Sequence, residues 1–482
     1  MNDLEFRTLD GRSTTVRAAD LDALAAAFDG HLIDASSPNY DAARAIWNGM
    51  IDRRPALIAR CQNPNDVVAA VRFARQHDVL IAVRGGGHNI AGNALCDGGI
   101  VIDLSLMKQI TVNAGTRTAR VEPGCTLADF DREAQKHGMA TPLGINSTTG
   151  VAGLALGGGF GWLSRSFGLT SDNLAAAEIV TADGELRRAT ETENADLFWA
   201  IRGGGGNFGI VTGFEFRLHA VGPEILSGLI VHPFDDAPSV LRSWRDALTQ
   251  APDPLSVWVV MRKAPPLPFL PAEWHGREIV VLAACWVGTD QAAGERALEP
   301  FRRIGNPIAD VIGRQPYAAW QQAFDPLLAP GSRNYWKSHN FTTLSDRALD
   351  VACDFIARLP DPQCEVFFGQ VGGVINRISV AATAYADRTA QLVMNVHSRW
   401  EDPARDRACI DWARAVSNAM RPFASGYVYM NFLTQDETDR VRDAYGPNFE
   451  RLSSLKEVWD PDNRFRVNHN VAIRPPTGAV AD

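Results

Sequence analysis

Glycine is packed into one part of this chain densely enough to limit what it can fold into. Between residues 85 and 209 it forms three segments: Gly85-Gly86-Gly87, then Gly150, Gly153, Gly157, Gly158, Gly159 and Gly161, then Gly203 to Gly206 with Gly209. Glycine loses more backbone freedom on folding than any other residue, so such a concentration is costly. Close approach of bare backbone to a flat or anionic ligand is one reason to accept that cost. The first segment follows a buried-strand pattern, Val79 to Val83, and is flanked by the cation of Arg84 and the imidazole of His88. That arrangement suits a diphosphate-bearing cofactor whose reactive ring lies beside a histidine. Taken singly, it is also what an ordinary glycine turn at the end of a strand looks like. Three such segments in one α/β region are hard to explain without a cofactor. None is the Rossmann fingerprint, and no P-loop occurs.

The segments sit in an alternation of short helix and strand patterns. Asn63 caps a helix that starts at Pro64, and Thr126 caps another that runs through Lys136 and stops at Gly138. Gly99 to Leu104 reads as a second buried strand, and Ala175 to Thr181 as a strand entering a hairpin at Ala182-Asp183-Gly184. From residue 222 glycine thins, and strand-like runs alternate with long amphipathic helices. In Gln391 to Trp400, Leu392, Met394, Val396 and Ser398 share one face, and Val393, Asn395, His397 and Arg399 the other. The first face is ready to pack on helices. The second faces either a ligand cavity or solvent. The expected organisation is a glycine-rich α/β domain over 35–221, a second domain over 222–434, and a tail over 435–475 that docks back on the first.

With 482 residues, a net charge of −9 and no basic run, the chain is poorly suited to general nucleic-acid binding. No apolar stretch reaches the ~18 residues of a membrane-spanning helix, and the acidic start Met1-Asn2-Asp3-Leu4-Glu5 does not read as a signal peptide. Seven scattered cysteines with no Cys-x-x-Cys read as reduced thiols in a cytoplasmic protein rather than a disulfide frame, and no metal site is expected.

Four motifs belong together: Arg84-Gly-Gly-Gly-His88, the Gly150–Gly161 run with Phe167-Gly168-Leu169 and Asp172-Asn173, Arg202 to Gly209, and the closing pattern Tyr429-Met430-Asn431-Phe432 through Lys456, Asp460-Pro461 and Asn468. In this order they resemble the berberine bridge enzyme-like flavin oxidases of the p-cresol methylhydroxylase/vanillyl-alcohol oxidase (PCMH/VAO) superfamily. The likeness runs from about residue 40 to 472. It implies an α+β, two-domain flavoprotein in which a substrate domain with an antiparallel sheet and flanking helices covers an FAD-binding domain. FAD would be linked covalently to His88, with Arg84, Gly85, Gly86 and Gly87 around the pyrophosphate and Asn89 also in contact with the cofactor. Asn146, Thr149, Gly150, Gly153, Gly157, Gly158, Asp172, Gly206, Asn207, Gly209, Val211, Asn431 and Asn468 would surround the rest. The implied activity is oxidation of a small-molecule alcohol or amine with O2 as electron acceptor.

Several positions depart from the family pattern. Asn146 occupies the slot of the cysteine that makes a second flavin bond in many members, so a single histidyl bond is expected. Phe160 and Phe432 replace two family tyrosines, one of which often serves as general base, and phenylalanine cannot take a proton. The replacements considered are Tyr429, His397, and Lys337 within Tyr335-Trp336-Lys337-Ser338-His339. Thr149 stands at the family position associated with access of oxygen, where valine is taken as permissive. A dehydrogenase with another acceptor, and a flavin-binding protein without catalysis, stay open as alternatives.

Overall fold

In a computed structural model, which describes residues 2–471, the first α/β segment forms a four-stranded sheet. Its strands are β1 (His31–Asp34), β2 (Leu57–Arg60), β3 (Ile81–Arg84) and β4 (Ile100–Asp103), in the order β1-β2-β4-β3. β4 runs parallel to both β2 and β3. Parallel strands need a long crossover, and α1 (Pro64–Gln76) supplies it between β2 and β3. Asn63 caps α1 as its sequence predicts, its side-chain oxygen accepting from the N–H groups of Asn65 and Asp66 at 2.9 and 3.1 Å. β3 starts two residues later than its apolar run, because Val79 instead bridges Thr8 near the N-terminus.

A second, antiparallel sheet follows, with β5 (Ile110–Asn113), β6 (Thr118–Val121), β7 (Leu174–Val180), β8 (Leu186–Thr190) and β9 (Ile210–Arg217) in the order β8-β7-β9-β6-β5. Gly184, at φ +79°, closes the expected β7–β8 hairpin. Two helices matter to the site: α2 (Leu127–Gln135), held at its start by a Thr126/Asp129 capping box, and the short α3 (Val151–Leu156).

The third sheet contains β10 (Glu224–Pro233), β11 (Leu255–Lys263), β12 (Glu278–Trp286), β13 (Ala309–Asp310), β14 (Gly313–Pro316), β15 (Arg333–Phe341), β16 (Glu365–Gln370) and β17 (Leu392–Trp400). The order is β13-β10-β12-β11-β16-β17-β15, with β14 beside β10, and every pair is antiparallel. Helices 237–248, 291–302, 346–356 and 406–420 cover one face, where Trp244, Leu298, Phe368, Met394, Val396 and Val416 share a core. Period-two alternation sends Val393, Asn395 and His397 to the other face.

The C-terminal helix Phe449–Trp459 packs on Ala195–Ile201. Lys456 pins it there: its fully buried ammonium donates to the carbonyls of Asn207 (2.6 Å) and Phe465 (3.0 Å) and pairs with Asp460 (2.7 Å). Residues 472–475 of the expected tail lie outside the described residues. No helix among the described residues is long and apolar enough to cross a membrane.

Candidate active site

A cavity of about 360 Å³ lies between the glycine segments and the uncovered face of the large sheet. Its floor is backbone. The turn after β3 meets the segment before α3 so closely that a Cβ on Gly86 would stand 2.4 Å from the nitrogen of Gly150, and a Cβ on Gly150 would stand 2.5 Å from that of Gly86. These two glycines are required by each other rather than by a ligand. Gly153 and Gly206 are different: both line the cavity, and a Cβ on either would meet nothing within 4 Å. The N–H groups of Gly85 to Asn89 donate to no protein acceptor among the described residues. A run of unpaired N–H groups in a glycine turn is an anion cradle.

His88 stands on this floor, stacked on Trp47 at a centroid distance of 4.9 Å. Its Nε2 lies 2.8 Å from Thr148 Oγ1, and that hydroxyl lies 2.8 Å from Asn146 Oδ1. Asn146 Oδ1 also accepts the Thr148 N–H, which fixes it as an acceptor. The Thr148 hydroxyl therefore donates to Asn146 and accepts from His88, which places the ring proton on Nε2 and leaves a lone pair on Nδ1. Burial pushes the His88 pKa down to about 3, so the ring is neutral.

Asn207, Gly209, Val211, Asn468 and His469 also line the cavity. Asn468 donates to the carbonyls of Gly206 (3.1 Å) and Phe465 (2.9 Å), while its Oδ1 has no partner among the described residues. His469 Nε2 is likewise unpartnered. A cavity with an anion cradle, two glycines opening onto empty space and orphaned polar atoms fits a flat, diphosphate-bearing group.

Five of the site residues expected from the sequence do not line the cavity. Arg84 turns away from it and donates to the carbonyl of Ala43, so the cradle is made of N–H groups without that cation. Asp172 forms a two-pronged pair with Arg388, both contacts at 2.7 Å. Gly157 and Gly158 make room for the Asn431 and Tyr385 side chains. Lys337 lies on the opposite face of β15 from Trp336 and is bound to Thr434 (2.9 Å), Asp436 (2.8 Å) and Glu437 (3.1 Å). Burial alone would lower its pKa, but the two carboxylates raise it above the ordinary value and keep the amine charged. Tyr429 does line the cavity. Its oxygen accepts from Gly159 N–H (3.1 Å) and Asn431 Nδ2 (2.9 Å), and burial raises its pKa, which keeps the phenol protonated.

The ceiling is side chain. Antiparallel register sets Ile279, Arg262, Glu365, His397 and Trp336 directly opposite one another across five strands. Arg262 donates to Glu365 at 2.7 Å, and Glu365 lies 3.3 Å from His397 Nδ1. His397 Nε2 lies 3.1 Å from Asn334 Oδ1, and the Asn334 amide is oriented by its donation to Ser332 O at 2.8 Å. Burial would raise the Glu365 pKa, but Arg262 and His397 hold it below the ordinary value. Burial lowers that of His397, with Glu365 opposing. Both ring nitrogens thus face oxygen acceptors, so a neutral ring leaves one contact without a hydrogen and the pair has room for one more proton. Of the rung's three polar members, sequence reading singles out only His397. Glu365 and Arg262 look like ordinary strand charges until register joins them.

A glycine floor beneath an antiparallel sheet, closed by a C-terminal helix, defines a two-domain α+β flavoprotein of the PCMH/VAO type. Residues 55–190 match the FAD binding domain model, and residues 428–472 match the berberine and berberine-like model. The chain is 30% identical over 449 residues to an FAD-linked oxidoreductase of Bacillus subtilis, YgaK, covering 92% of this chain and 96% of that protein. It is 30% identical over 474 residues to (R)-6-hydroxynicotine oxidase of Paenarthrobacter nicotinovorans, covering 92% and 96%. The crystal structure of 6-hydroxy-D-nicotine oxidase from Arthrobacter nicotinovorans superposes with a TM-score of 0.82 at 28% identity, covering 92% of this chain and 98% of that one. Xylooligosaccharide oxidase from Myceliophthora thermophila shares the fold, with a TM-score of 0.81 at 24% identity, covering 95% and 100%. The chain belongs to the berberine bridge enzyme-like FAD-linked oxidoreductases, and FAD is its cofactor.

Proposed function

We propose that this enzyme removes hydride from a small-molecule alcohol or amine, using FAD bound covalently through His88 alone and reoxidised by O2 to give hydrogen peroxide. When bound, FAD supplies the hydride acceptor; the protein binds, orients and manages protons. The observation that carries the reading is His88, kept neutral by burial and fixed in one tautomer by Thr148, with a free Nδ1 lone pair on the cavity floor. None of the seven cysteines lines the cavity, which supports one bond rather than two. The N–H groups of Gly85 to Asn89 would take the diphosphate. Gly150, Gly153, Gly206, Asn207, Gly209, Val211 and Asn468 would enclose the remainder, with Thr149 next to the reacting region.

The base is the Glu365–His397 pair, which accepts the substrate proton. Tyr429 is held as a neutral phenol and Lys337 as an ammonium, so neither has a free site for that proton. In this reading residues 35–221 with the tail form the cofactor unit and 222–434 the substrate unit. All seven cysteines are buried and unpaired, which supports a reducing, cytoplasmic setting.

Acid precipitation of the purified protein tests the attachment. A yellow pellet is expected from the wild type and a colourless one from His88→Ala; a yellow supernatant from the wild type defeats the covalent claim. Rapid mixing of reduced enzyme with aerated buffer tests the acceptor, since slow reoxidation would make it a dehydrogenase.

A further inference from the structure

The ceiling has a polar end and an apolar end, and register decides which is which. Next to the Arg262–Glu365–His397 rung lies the row Val231, Val281, Val260, Phe367 and Asn395, each directly opposite the next. One step further, Leu229 and Trp258 both face Ala283. Beyond Asn395, the polar group these two rows offer on strands β10, β11, β12 and β16 is a single donor, the indole N–H of Trp258, which has no partner among the described residues. The loop after β11 extends the apolar side with Pro265, Leu267 and Leu270, which also line the cavity. Every hydrogen-bond acceptor on these rows, and all but that one donor, therefore lies in one corner, under β16 and β17.

The charge balance is as restrictive. Arg262 and Glu365 are the only Asp, Glu, Lys or Arg residues lining the cavity among the described residues, and they are paired with each other at 2.7 Å. A cationic substrate would find no free carboxylate, and an anionic one no free cation. A polyhydroxylated substrate would set several hydroxyls against valine, leucine and phenylalanine. Each hydroxyl buried without a partner weakens binding by roughly tenfold or more.

We infer that the substrate is a neutral, largely apolar alcohol with one reacting hydroxyl. The hydroxyl sits in the corner formed by Glu365, His397 and Asn395, and the hydrocarbon body lies along Val260, Val281 and Leu229. This rests on the flavin-oxidoreductase reading above. The carbinol carbon gives its hydride to FAD, the hydroxyl proton goes to the Glu365–His397 pair, and a carbonyl compound leaves. O2 then takes the two electrons and two protons as hydrogen peroxide.

The test uses the purified yellow holoenzyme mixed without oxygen with three sets of compounds: benzylic and cyclic terpene alcohols, xylo-oligosaccharides, and benzylic amines protonated at the assay pH. Loss of flavin colour and quenching of tryptophan fluorescence, from Trp258 and Trp336 on the wall, are read together. The expected result is bleaching by apolar alcohols at concentrations at least roughly tenfold below those needed for the other sets. More efficient bleaching by oligosaccharides or amines overturns the class. So does the absence of both bleaching and quenching with every apolar alcohol. Val260→Asn should raise half-saturation for apolar alcohols roughly tenfold with flavin content unchanged; if it does not fold, the equal-volume Val260→Thr gives the same reading. No change in half-saturation overturns the proposed placement. A colourless wild-type protein would instead defeat the flavoenzyme reading, and is told apart by that alone.

Discussion

Along the floor of the cavity the ligand-facing groups are mostly backbone N–H groups and the space left by missing side chains, with the His88 imidazole standing among them. On the ceiling they are side chains from five strands, aligned by hydrogen-bond register. A floor of backbone does not discriminate among substrates, and it suits a cofactor that is the same throughout a family. A ceiling of side chains can change one residue at a time without disturbing the sheet. In the proposed reading, cofactor binding falls to the part of the molecule with the least side chain, and substrate recognition to the part with the most.

The sharpest way to break this division is at the polar rung. His397→Gln should lower the rate of flavin reduction by about 10²–10⁴-fold while flavin content stays at the wild-type level. A loss below about tenfold in anaerobic stopped-flow would take the proton role away from the ceiling.

The floor is tested by two glycines with opposite expectations. Gly86→Ala drives a Cβ into the backbone of Gly150, and backbone cannot rotate aside, so a loss of about 3 kcal/mol or more is expected in denaturant unfolding. Gly153→Ala meets no protein atom, so stability should change by less than about 1 kcal/mol while FAD content falls. Equal destabilisation by the two would mean that Gly153 serves packing rather than the ligand.

The joint between the two regions gives a smaller effect. Asp131 on α2 is buried against helix 317–321, with Gln321 donating to it at 3.0 Å. Burial pushes its carboxyl pKa up to about 7. Because the folded state binds this proton more tightly than the unfolded chain, the stabilisation is complete below the ordinary carboxylate range and is lost as pH rises through about 7. Asp131→Asn should therefore gain on the order of 1–3 kcal/mol over the wild type at pH 9 and little at pH 5. Melting temperatures across that range check it, and a constant difference between the two proteins would overturn the assignment.

Much of the floor was legible in the sequence. Glycine runs mark where backbone must come close, and His88 follows one of them directly. The cap at Asn63 and the α1 start are local signals of the same kind. What local signals could not supply was direction. Arg84 sits beside the right turn, yet its side chain folds back to Ala43. Asp172 pairs with a residue 216 positions away, and Lys337 lies on the face of its strand that points away from the cavity. A one-residue shift of a strand inverts every side chain on it, so register must be known before a polar strand residue can be placed in a site.

The sequence by itself pointed to the family, the cofactor, and His88 as the candidate attachment point, because these rest on a set of short motifs, each contiguous and readable without knowing the fold. Only the tertiary structure decided that Arg262, Glu365 and His397 form one rung, that the adjoining rows are apolar, and that Tyr429 and Lys337 are tied down by other partners. Those facts arise from pairing between strands far apart in the chain, and no local pattern encodes them.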